Sequence, residues 1–385
     1  MPNRSSASAA LPVVVVAPDS FKGSLDAGEV ADAIATGIRR AHARAEIRLC
    51  PMADGGEGTL DAMLSGGGTR RMLTVRGAAG PTLDAAVGLL ADGSAVIETA
   101  QIVGITDAVG MGVPVAARST LGMGEAIRAL LDDGVRRFYV ALGGSSTNDG
   151  GAGLLAGLGM QLFDANGSPL EPTPDALARA ARVDASALDP RLAQASFVAM
   201  SDVDNPLTGE HGATAVFGPQ KGVRTDQIAT VDAALVRFAD LLEAALERRE
   251  RDQPGAGAAG GLGFALRMLG ASFEPGAEVV ARQVGLDAAL RDADWLITGE
   301  GRSDVQTLHG KAPYIACRHA AAAGVPTTLL SGAIDAAALP RLSGHFCGCF
   351  SPAPGPITLD AAIRDAATLL ANEAEQLARL KFGAR

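Results

Sequence analysis

The sequence predicts an α/β protein: a doubly wound parallel sheet built from both ends of the chain, interrupted by a large inserted α/β domain with a mixed sheet. Three observations carry this. Residues 13–64 alternate short apolar runs with helical patterns, the rhythm of βαβα units. Residues 70–99 read instead as successive strands joined by short Gly/Pro/Asp turns, an antiparallel meander. From residue 293 the α/β rhythm returns. A chain of 385 residues also exceeds one ordinary core. The expected division is 1–68 with 289–385 as one discontinuous domain and 69–288 as the insertion, with 1–11 as a disordered tail.

Taken in order, 13–17 is a β-branched run stopped by Pro18, the mark of a buried parallel strand. Ser24 is placed to cap a helix whose apolar face includes Val30, Ile34 and Ile38. A second strand is expected at 46–50 and a second helix at 57–64. Within the insertion, strands are expected at 70–76, 82–90, 95–99, 137–142 and 197–200. Helices there are expected near 124–132, 151–158 and 226–248. After the insertion come a strand at 295–298, a helix at 312–323, strands at 327–331 and 346–350, and one final helix over 360–380.

Composition narrows the function classes. The net charge is −10 and no Lys/Arg run forms a basic patch, which argues against nucleic-acid binding. Aromatics are scarce at 4% while there are 48 glycines, so cores rest on Ala, Leu and Val and many positions suit tight turns or close ligand approach. The four cysteines (Cys50, Cys317, Cys347 and Cys349) lack the spacing of a zinc site or a secreted disulfide framework and read as reduced thiols. With no apolar run of membrane-span or signal-peptide length, a cytoplasmic enzyme is expected, with no membrane partner.

Four loops place small residues around a charged group, mostly at strand ends. They are Pro18-Asp19-Ser20-Phe21-Lys22-Gly23-Ser24, Asp54-Gly55-Gly56-Glu57-Gly58-Thr59, Gly143 to Gly151, and Thr298-Gly299-Glu300-Gly301-Arg302-Ser303-Asp304. Ligands of open α/β sheets gather beyond strand carboxyl ends, where glycine lets backbone N–H groups approach phosphate. Lys22 offers a point charge to a phosphate or carboxylate. Asp19, Asp54, Asp149, Asp202 and Asp204 are candidate bases or ligands for a hard cation. The bland alternatives stand beside these: Asp54, Glu57 and Asp149 as helix caps, Arg302 with Asp304 as a local ion pair, Lys22 as a solvated charge. The five histidines show no metal spacing. Neither G-x-x-x-x-G-K-[ST] nor G-x-G-x-x-G follows the first strand, so any nucleotide site is non-standard.

Longer strings sharpen this. APDSFKGSL at 17–25, PMADGGEGT at 51–59, ALGGSSTNDGGAG at 141–153, SDVDNPL at 201–207, GATAVFGPQKG at 212–222, GAAGGLGFAL beginning at 257, and TGEGRSDVQTLHGK at 298–311 resemble the motifs of the type I glycerate kinase family, in family order. The resemblance implies a flavodoxin-like sheet, ATP and Mg²⁺, and phosphorylation of D-glycerate, usually to 2-phosphoglycerate. A 3-phosphoglycerate product or a non-catalytic sugar-acid or nucleotide sensor are the alternatives. On this footing catalysis is expected from Asp202, Lys22 and Asp149. Substrate contacts are expected from Asp19, Ser20, Lys22, Asp54, Glu57, Glu300 and Arg302, and nucleotide contacts from Gly143, Gly144, Ser145, Ser146, Thr147 and Asn148. Mg²⁺ is expected at Asp202, Asp204 and Asp149. Ser303 and Tyr314 depart from the family pattern.

Overall fold

The protein is described by a computed structural model covering residues 11–383; the tail expected at 1–11 lies outside the described residues except for Leu11. The chain divides into two compact units. One takes residues up to Asp54, Asp61–Gly66 and those from Ala277; the other takes Gly55–Leu60 and Gly67–Gly276.

The sheet of the first unit contains β1 (Val13–Val16), β2 (Glu46–Leu49), β3 (Trp295–Thr298), β4 (Thr327–Leu330) and β5 (Gly348–Phe350). All pairs are parallel and the spatial order is 2-1-3-4-5. This is the flavodoxin-like order, whose switch point lies between β1 and β3. Val14 faces Trp295 on one side and Ile47 on the other, so the β-branched run is covered by neighbours on both edges. The main helices are α1 (Ala27–Ala41), α2 (Ala312–Ala322), α3 (Leu359–Arg364) and α4 (Ala366–Phe382). Val14, Val16, Val30, Ile34, Ile38, Ile297, Leu370 and Leu377 share one core. α1 packs on α4 at Gly37, where a Cβ would overlap the carbonyl oxygen of Ala371.

Two local expectations change. The cap of α1 is Asp26, not Ser24: its carboxylate accepts from the Glu29 N–H while Glu29 reaches back, a complete capping box. The Ser24 hydroxyl instead donates to the carbonyl of Ile363, 2.9 Å away. The single helix expected over 360–380 is broken at Asp365 into α3 and α4.

The second unit holds a six-stranded mixed sheet. Its order is Ser272–Glu274, Ser196–Met200, Arg137–Ala141, Ala95–Glu98, Thr82–Leu90 and Gly68–Arg76. The first four strands are parallel and the last three form the antiparallel meander. Its core includes the stacked pair Phe138 and Phe197, with ring centroids 5.0 Å apart. The long helix Ile228–Leu246 buries Leu235, Phe238 and Leu242. All four cysteines are free thiols. Among the described residues no helix is long and apolar enough to cross a membrane.

Candidate active site

A pocket of about 440 Å³ opens in the first unit at the β1/β3 switch point. The parallel pairing runs past the strand ends, with Ala17 N–H donating to Ile297 and Asp19 N–H to Gly299, so the loops after β1 and β3 lie side by side. Gly299 is required there, because a Cβ would overlap the Leu330 carbonyl oxygen. Gly23, at φ 77°, turns the first loop back into α1. The pocket gathers Asp19, Ser20, Lys22, Asp54, Glu300 and Arg302, six of the seven residues expected to contact substrate. Glu57 is not among its lining residues; it is exposed and belongs to the second unit.

Asp19 is 6% exposed and accepts one hydrogen bond, from the Ser20 N–H at 2.6 Å. Burial, and then the neighbouring Asp54 carboxylate, push its pKa up to about 7, against the pull of the Ser20 amide and Lys22; Glu300 adds a smaller push. Glu300 is buried but well partnered. Its Oε1 accepts from the Ser303 hydroxyl (3.0 Å) and the Thr307 hydroxyl (2.6 Å), and Lys311 Nζ stands 3.4 Å from Oε2. The departure at Ser303 is thus accommodated, since its buried hydroxyl also meets that of Ser331 at 2.8 Å. Tyr314 packs edge-on against the His345 ring. Arg302 is exposed and 3.6 Å from Asp335, and Lys22 is exposed at the rim. Lys311, which sequence reasoning passed over, adds a third cation.

In the second unit, the start of the helix Thr59–Ser65 is met by a carboxylate that the sequence did not single out. The buried Glu98 carboxylate accepts from the Gly58 and Leu60 N–H groups at 3.3 and 3.0 Å. Asp149 is wholly buried. Its Oδ2 accepts from the Thr120 N–H and hydroxyl and the Gly153 N–H, its Oδ1 from the Gly151 N–H. Burial raises its pKa in spite of those bonds. The loop from Gly143 turns mostly inward: Ser146, Thr147 and Asn148 are fully buried, and only Gly143 and Gly144 keep substantial exposure. Two buried cations that the sequence did not single out fix this loop. Lys221 Nζ donates to Ser145 Oγ and to the Thr147 carbonyl, both at 2.8 Å, while Arg118 donates to the carbonyls of Ser146 and Lys221. Burial pulls the Lys221 pKa down to about 7.

Asp202 and Asp204 are exposed in the loop after Ser196–Met200. Among the described residues no group of three or more His, Cys, Asp or Glu side chains is arranged to hold a metal ion, so Asp149, Asp202 and Asp204 form no such group. The oxygens of Asp149 are taken by N–H and O–H donors. Asp202 and Asp204 are exposed carboxylates, and oxygen donors of this kind fit Mg²⁺ as an ion held by one or two carboxylates together with phosphate oxygens.

Comparison with known proteins decides the family. The family model for the glycerate kinase family matches residues 14–381. The chain belongs to the glycerate kinase family. It is 41% identical over 373 residues to a Bacillus subtilis (strain 168) protein named glycerate kinase, covering 95% of this chain and 96% of that one. It is 42% identical over 308 residues to the Escherichia coli (strain K12) protein named glycerate 2-kinase, covering 78% and 80%. A crystal structure from Salmonella typhimurium LT2, named for glycerate kinase 2, superposes with a TM-score of 0.86 at 39% identity, covering 96% of this chain and 98% of that one.

Proposed function

We propose that the chain transfers the γ-phosphoryl group of ATP to the C2 hydroxyl of D-glycerate, giving 2-phosphoglycerate and ADP. Family membership supports the kinase class, and one relative's name supports the 2-position. The observation that carries the chemistry is Asp19, a carboxylate desolvated at the switch point and poised near pH 7. A glycerate hydroxyl is too weak an acid to ionise before attack, so its proton must pass to a base as the phosphoryl group moves. As the hydroxyl oxygen bonds to the γ-phosphorus, the bond to the β–γ bridging oxygen breaks. ADP leaves with that electron pair and Asp19 takes the proton.

This moves the base from Asp202, the sequence-based choice, to Asp19. Asp202 is exposed to water, whereas Asp19 has the burial that tunes a carboxylate into a neutral-pH base. Lys22 and Arg302 hold the glycerate carboxylate, and Glu300 fixes Lys311 beside them. Asp202 and Asp204 would hold Mg²⁺ with the donor's phosphate oxygens, where the ion neutralises phosphate charge. Gly143 and Gly144 offer backbone to the nucleotide, while Ser145 to Asn148 shape the loop from within. The test is a coupled assay of ADP release with ATP, Mg²⁺ and D-glycerate. Release that does not depend on D-glycerate would remove the reading.

A further inference from the structure

One wall of the switch-point pocket is unlike the rest. Leu359, Ala362 and Ile363 recur at i, i+3 and i+4, one face of α3, and line the pocket together with Ala366 at the start of α4. Such a stripe ordinarily buries itself in a core. Here α3 has no buried residue, Leu359 is 73% exposed and Ile363 38% exposed. Phe21, from the loop after β1, adds a further apolar side chain to the lining. α3 is also fastened to the loop after β1, through the hydrogen bond from the Ser24 hydroxyl to the Ile363 carbonyl. The opposite chemistry is supplied by Lys22, Arg302 and Lys311.

We infer that this apolar stripe is the binding face for the purine base of the phosphoryl donor, with the donor's polyphosphate directed to Lys311, the pocket cation that glycerate leaves free; this rests on the kinase reading above. Glycerate does not account for the wall. It has three carbons, each bearing oxygen, and gains nothing by lying on leucine and isoleucine. A purine presents a broad π face whose burial on aliphatic side chains is favourable, and a pocket of about 440 Å³ is in the range that encloses a ligand well above three carbons in size. A ligand with an apolar disc at one end and several negative charges at the other matches both walls at once.

Titration calorimetry on the whole protein tests this through binding rather than turnover. ADP and inorganic tripolyphosphate are each titrated into wild type, Ile363→Asp and Leu359→Asp, both substitutions being at exposed positions. The expected result is ADP affinity lowered about tenfold or more in the variants, with tripolyphosphate affinity within about twofold of wild type. ADP binding that is indifferent to both substitutions overturns the base subsite and leaves the kinase reading standing. A wild-type protein that binds no ADP overturns the kinase reading itself. A second measurement does not depend on the variants: photolabelling by 2-azido-ADP followed by trypsin. Label in the peptide 342–364 is expected, and label confined to other peptides overturns the assignment.

Discussion

Replacing Asp19 by Asn separates the proposed base from the loop that carries it. Asn keeps nearly the same shape and retains an oxygen for the Ser20 N–H, so the turn after β1 is preserved while the proton acceptor is lost. Two consequences follow from the same burial. Loss of a positioned general base costs about 10²–10⁴-fold in kcat. The wild type should also show kcat/KM falling tenfold per pH unit below about 7, as Asp19 becomes protonated. Stability moves the other way. A carboxyl whose folded pKa lies above its unfolded value of 3.8 binds its proton more tightly when folded, so stability present at low pH is lost as pH rises from about 4 through about 7. Over that window the loss is about 4 kcal/mol at most. Asp19→Asn removes this dependence and should be the more stable protein at pH 8. Steady-state kinetics from pH 5.5 to 8.5 and urea unfolding at pH 5 and pH 8 measure both arms. Asp19→Asn with ordinary turnover refutes the base assignment, and an unchanged stability–pH slope refutes the burial argument.

Other outcomes are expected of neighbouring residues. Lys22→Ala should lower kcat/KM for glycerate by roughly 10²-fold, the loss of a charge-assisted contact to a carboxylate; wild-type kinetics would make it a solvated surface charge. Asp202→Asn should raise the Mg²⁺ concentration giving half-maximal rate by about tenfold, with most activity recovered at saturating Mg²⁺. An unaltered Mg²⁺ titration would take Asp202 out of the metal role. Asp149→Ala should destabilise the fold by about 3–5 kcal/mol, because it strands the N–H groups of Thr120, Gly151 and Gly153 in a dry interior. Denaturant midpoints measure it, and a loss of activity without loss of stability would point instead to direct chemistry at Asp149.

The parts of the fold that rest on periodicity were legible in the sequence. The β-branched run ending at Pro18, the strands 82–90 and 295–298, and the apolar face of α1 through Val30, Ile34 and Ile38 announce themselves through local pattern alone. Six pocket residues were legible because glycines flank charges at strand ends, as at Asp19 and Glu300. What was not legible depends on burial. The cap is an exception, since Glu29 three residues after Asp26 is the spacing of a capping box and was the available signal for Asp26 over Ser24. The break at Asp365 has no Gly or Pro to mark it. Asp149 and Asp202 look alike as acidic residues in Gly- or Pro-bearing loops, yet one is sealed in by four donors and the other faces water. Lys221 stood in a motif already noticed, GATAVFGPQKG. A lysine amid apolar and glycine residues was the available signal, but its partners Ser145 and Thr147 lie more than seventy residues away in sequence.

The central claim is phosphorylation of D-glycerate at C2, and ³¹P NMR of the complete reaction tests it most directly. With ATP, Mg²⁺ and D-glycerate, the account predicts equal growth of ADP resonances and of a single phosphomonoester signal coupled to one carbon-bound proton, that of the C2 methine. A phosphomonoester coupled to two protons, as at the C3 methylene, would contradict the regiochemistry, and growth of inorganic phosphate alone would contradict the transfer itself.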